Sequence, residues 1–198
     1  MQITIREPGS AITHFIAMMM AVFATVPLLV KAGIQSGWEN FLAMAIFMGS
    51  MILLYGASAT YHSVDLTGRS LRVFRKLDHM MIFVLIAGSY TPICLLVLER
   101  RTGLIMLALV WGIAITGIII KGFWVFCPKW VSSVLYISMG WICVLAFSQI
   151  LNNLTRAEFG WLLAGGIIYT IGGVIYALKL PIFNTKHKNF GSHEIFHL

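Results

Sequence analysis

Six residues near the carboxy-terminal end, His193-Glu194-Ile195-Phe196-His197-Leu198, carry two imidazoles at i and i+4. On a helix these stand one turn apart on one face, the spacing of paired metal ligands. A second polar group, Ser58-Ala59-Thr60-Tyr61-His62, closes a long apolar run, and Asp78-His79 stands at the start of the next. Ser58 and His62 share a helix face by the same spacing. Three imidazoles leave one position of a tetrahedral zinc open, as catalytic sites do and closed structural sites do not. An adjacent carboxylate such as Asp78 would then orient or deprotonate a water for metal-assisted hydrolysis.

The elements that must position these groups are membrane helices. Between its charged residues the chain has six mostly apolar runs, each near the ~20 residues that cross a bilayer core. With 59% hydrophobic and 11% charged residues, and a mean hydropathy of +0.89, too little polar surface remains for a soluble fold. Alternating ten-residue segments are missing, which argues against a barrel. The expected fold class is all-α, a polytopic transmembrane helical bundle forming a single integral-membrane domain over residues 1–198. The pattern predicts helices over about 11–34, 40–62, 78–98, 102–121, 130–152 and 159–180. A seventh begins at 192, where Gly191-Ser192 reads as a helix start, and it is expected to be truncated in this chain. The glycine pairs 165/166 and 172/173 would let helix six approach a neighbour closely.

Lys and Arg outside these spans set the orientation. Arg6, Arg69, Arg72, Arg75, Lys76, Lys121, Lys129, Lys179, Lys186 and Lys188 fall on one side, against Lys31, Arg100, Arg101 and Arg156 on the other. The amino terminus is therefore expected in the cytoplasm, with the connections after helices two, four and six. Ser58, His62, Asp78, His193 and His197 then converge on one leaflet, and ionisable groups at such depth normally face the bundle interior. The net charge of +7 is explained by basic loops against an anionic leaflet, and no nucleic-acid partner is expected. Trp38, Trp124, Trp130 and Trp161 read as interfacial anchors. Cys94, Cys127 and Cys143 form no ligand or disulfide pattern.

Plainer roles compete for several of these residues. Asp78 at a helix start could serve only as a cap, and Ser58 could bond back to a carbonyl of its own helix. His79 is turned about 100° from Asp78 and reads as a residue supporting the site. His14 and His187 read as interfacial, and Glu7 either as part of the cytoplasmic entrance or as a solvated carboxylate.

Three separated stretches carry a resemblance: Ser58-Ala59-Thr60-Tyr61-His62, Leu77-Asp78-His79 running on to Ser89-Tyr90-Thr91-Pro92, and His193-Glu194-Ile195-Phe196-His197. Together they resemble the signature of the progestin and adipoQ receptor family, in its bacterial hemolysin III-like branch, over essentially the whole chain. The resemblance implies seven helices and a zinc ion near the cytoplasmic face held by His62, His193 and His197. It implies catalytic roles close to the metal for Asp78 and Ser58, and a bacterial inner-membrane location. The wider group includes alkaline ceramidases, so the implied chemistry is hydrolysis of a lipid amide such as ceramide, with a membrane lipid as substrate or ligand, or regulation of membrane lipid homeostasis. The alternative is a zinc-stabilised receptor or haemolysin-like protein without catalysis. His193-Glu194-Ile195-Phe196-His197 also fits the H-E-x-x-H pattern of zinc proteases, with Glu194 as base. That reading ranks lower, because His62 stands where such a protease often takes an acidic third ligand.

Overall fold

The computed structural model describes residues 5–65, 67–124 and 128–178, which are helical with no strand among them. Among the described residues, six helices are long and apolar enough to cross a membrane. They are α1 (Pro8–Ile34), α2 (Gly37–Ser63), α3 (Gly68–Val97), α4 (Arg100–Phe123), α5 (Trp130–Asn153) and α6 (Arg156–Leu178). At 1.5 Å per residue, the first five reach about 36–45 Å, more than the ~30 Å hydrocarbon core. The start expected for a seventh helix, at 192, lies outside the described residues.

Polar contacts fix the alternation of direction. Glu7 meets His62, and Lys121 meets Ser132, at the end of the bundle that holds the amino terminus. Glu39 meets Arg100 at 2.5 Å, and Asn153 Nδ2 donates to the Val97 carbonyl at 2.7 Å, at the opposite end. Successive helices are therefore antiparallel. Gly37 makes the tight α1–α2 reversal with φ +81°, a left-handed conformation that a β-carbon disfavours.

The largest departure from expectation is α3, which starts at Gly68 rather than 78. Arg69, Arg72, Arg75 and Lys76 mark a loop in a count of charges, yet Leu71, Phe74 and Leu77 keep helical spacing beside them. The amphipathic pattern carries the helix outward past the apolar span. Asp78 is thereby placed about 15 Å along α3, and the competing role of a helix cap is ruled out.

Helix α3 is the most buried of the six, and α1 and α6 are the least buried. Close approach to its neighbours depends on two glycines. A β-carbon on Gly88 would lie 2.2 Å from Ser50 Oγ on α2, and one on Gly117 of α4 would lie 2.3 Å from the fully buried Phe83 ring. Helix α5 is broken into a tighter turn over Ile142–Ala146, and Tyr90 of α3 is the cause. Its hydroxyl donates to the Met139 carbonyl at 2.8 Å and accepts from the Cys143 N–H at 2.9 Å, standing between two groups that would otherwise bond each other. An inserted side chain of this kind opens a helix while keeping its backbone groups satisfied in lipid. Of the glycines expected to bring α6 close, Gly173 does so against Ile137 of α5. Gly165 and Gly166 face open space among the described residues.

Candidate metal centre

His62 occupies the last turn of α2 and is 1% exposed. Its Nδ1 lies 2.5 Å from Glu7 Oε2, and its carbonyl accepts the Glu7 backbone N–H at 3.1 Å. A carboxylate beside Nδ1 favours the tautomer with the ring proton there, the form in which an imidazole binds a metal through Nε2. The Tyr61 ring packs beside the imidazole, with centroids 4.8 Å apart. Arg6 lies 4.3 Å over the Tyr61 ring, and Arg75 Nε donates to the Tyr61 hydroxyl at 2.9 Å.

Ser58, one turn before His62, is also 1% exposed, and its Oγ has no hydrogen-bond partner among the described residues. Other hydroxyls of these helices bond back as expected: Ser50 to the Phe47 carbonyl, Thr60 to Gly56, Thr91 to Ala87. The expected back-bond is thus not made at Ser58. A buried hydroxyl left unbonded is costly, so it suits a position where a further polar group completes its hydrogen bonding.

Asp78 is buried on α3, with no hydrogen bond or ion pair to another described residue. His79 is turned away from that role, with Nδ1 on the Arg75 carbonyl at 2.7 Å and its own carbonyl accepting from the Tyr136 hydroxyl at 3.1 Å. His193 and His197 lie outside the described residues, as do His187 and Cys127. Among the described residues no three His, Cys, Asp or Glu side chains cluster as a metal set. What the described part contributes is one buried imidazole with a carboxylate at its Nδ1, and a hydroxyl on the same face with no hydrogen-bond partner among the described residues. Both fit a zinc held by His62 together with donors from elsewhere in the chain.

Three further residues reach this region: Glu7 and His14, which the sequence alone did not assign to a metal site, and Ser10, to which it gave no role. Glu7, still 40% exposed, pairs with His62 through one carboxylate oxygen. His14 is 5% exposed rather than interfacial, with its ring 6.1 Å from that of His62 and 5.6 Å from Tyr55. Ser10, fully buried, lies one turn before it. The available signal was their spacing: Glu7, Ser10 and His14 form a polar stripe on one face of an otherwise apolar helix. Lys121, counted among the cytoplasmic-side cations at the end of its span, is 2% exposed in the last turn of α4 and donates to Ser132 Oγ at 2.5 Å. Lys76 on α3 donates to the Gly122 carbonyl. These contacts brace α3, α4 and α5 at the same end of the bundle.

Six apolar helices with ionisable groups gathered at one end define an integral membrane protein with a polar centre at one face. The family model for Haemolysin-III related proteins matches residues 2–198, and the chain belongs to that family, the hemolysin III branch of the progestin and adipoQ receptors. Hemolysin-3 of Bacillus cereus is 36% identical over 192 residues, covering 97% of this chain and 84% of its own length. The Hemolysin-3 homolog of Bacillus subtilis is 36% identical over 178 residues, covering 89% and 83%. More distantly, the adiponectin receptor protein of Drosophila melanogaster is 27% identical over 222 residues, covering 97% of this chain and 47% of its own length.

Proposed function

We propose that this protein is a zinc-dependent hydrolase of the bacterial inner membrane, acting on a lipid amide such as ceramide at the cytoplasmic leaflet. The observation that carries the reading is the buried His62 imidazole, with Nδ1 committed to a carboxylate and the unbonded Ser58 hydroxyl one turn away. His62, His193 and His197 would hold the metal. When bound, zinc supplies Lewis acidity that polarises the amide carbonyl and makes water reactive at neutral pH.

The chain's own residues would do the rest. Ser58 donates a hydrogen bond to the oxygen that gains charge as the carbonyl is attacked. Asp78, buried and without a hydrogen bond or ion pair to a described residue, takes the proton of the attacking water and returns it to the amide nitrogen as the amine leaves. The apolar helices around these groups exclude bulk water and strengthen the electrostatic terms. The excess of Lys and Arg beside this face supports a cytoplasmic position for it and for the amino terminus.

The names of the relatives favour a second reading, a receptor or haemolysin-like protein in which a bound metal only fixes the helices. Turnover separates the two. Protein reconstituted in lipid with zinc should release fatty acid from a ceramide-type substrate and stop when zinc is chelated. Zinc-loaded, folded protein that releases none gives the lead to the non-catalytic reading.

A further inference from the structure

Glu7 sits at the start of α1, with φ −136° and ψ 80°, and its side chain makes no bond to the first turn of its own helix. Pro8 follows at the first helical position, where a residue without an N–H is well accommodated. The carboxylate is thereby released from capping and reaches α2 instead. Its two oxygens are divided: Oε1 lies 3.1 Å from Arg6 Nη2, and Oε2 lies 2.5 Å from His62 Nδ1. The backbone adds a second tie, because the Glu7 N–H donates to the His62 carbonyl, one of the last carbonyls of α2, which no amide of its own helix satisfies.

His62 is thus held at both its ring and its main chain by one residue 55 positions away. The carboxylate is 40% exposed while the ring is buried, so the anion keeps part of its hydration and the imidazole is sealed from water. Ligating histidines typically give their second ring N–H to a carboxylate, which fixes the tautomer, aims the ring and makes the other nitrogen a better donor. We propose that Glu7 is a positioning residue for the metal: docking of the amino-terminal segment onto the end of α2 sets His62 for zinc through Nε2. This rests on the reading of His62 as a ligand. It couples metal binding to a segment that carries no ligand itself.

Zinc affinity by chelator competition, on wild type, Glu7→Ala, Glu7→Gln, Arg6→Ala and His62→Ala in lipid nanodiscs, tests the idea together with side-chain 15N spectra of His62 in zinc-free protein. Glu7→Ala should weaken zinc binding by about 10–100-fold, the usual cost of losing such a partner. Its His62 should shift from the Nδ1–H form toward a mixture of tautomers. Glu7→Gln keeps a neutral acceptor and should fall between the two, while Arg6→Ala should stay close to wild type. The zinc-free melting temperature separates positioning from folding. If Glu7→Ala and Glu7→Gln keep the wild-type tautomer and zinc affinity, or lose affinity only in step with that temperature, Glu7 is a structural clamp and the proposal is wrong. If wild type takes up no zinc, or His62→Ala binds as well as wild type, the reading of His62 itself fails and the proposal falls with it.

Discussion

Ser58 Oγ and the His62 imidazole stand one turn apart at the buried end of α2, each residue 1% exposed, and the hydroxyl is unbonded while Ser50 on the same helix bonds back to Phe47. A structural serine would have taken the nearby carbonyl, as its neighbours do. Ser58→Ala should therefore leave folding unchanged or raise stability by about 1 kcal/mol, since an unsatisfied buried group is removed. Zinc content should stay at the wild-type level and hydrolysis should fall. A clear loss of thermal stability would assign Ser58 to packing instead.

Asp78 lies in the interior of α3, so capping no longer competes with catalysis as its role. Asp78→Asn should keep zinc bound and slow any hydrolysis by roughly 10²-fold or more, the scale for loss of a general acid–base group. Glu194→Gln is the opposing case. A protease of the H-E-x-x-H type would lose its base, whereas a lipid amide hydrolase should keep nearly full turnover on ceramide.

Stability should respond at a different place. Tyr90→Phe removes the hydroxyl that stands between the Met139 carbonyl and the Cys143 amide. The expected cost is about 1–2 kcal/mol, reduced to the extent that α5 recloses its own ladder. Thermal unfolding in detergent measures it, and zinc affinity should be unaffected because the change lies away from His62.

Orientation has its own check. A reporter fused after residue 70 should be found in the cytoplasm, and one fused near Ser36 in the periplasm. The reverse would put His62, Ser58 and Asp78 at the outer face and remove the case for a substrate in the cytoplasmic leaflet.

Hydropathy revealed the six described helices, because each must pair its backbone internally and meet lipid with apolar side chains. It missed how far α3 extends, since Arg69 to Lys76 look like a loop to any count of charge and only the spacing of Leu71, Phe74 and Leu77 shows the helix continuing. His62, Ser58 and Asp78 stood out as polar residues at the edges of apolar runs. Glu7 and His14 were given no part in a metal site because each alone resembles an ordinary solvated or interfacial residue. Their significance comes from the α1–α2 pairing, which puts residue 7 against residue 62, a relationship between distant positions that no local pattern encodes. The Tyr90 insertion into α5 was hidden for the same reason.

Metal analysis of purified wild type, His62→Ala and His193→Ala tests the central claim most directly. Wild type should carry about one zinc per chain, and each variant should lose most of it, because two imidazoles are too few to hold a site of this kind. Variants that keep stoichiometric zinc would show that these histidines only pack, and would contradict the account.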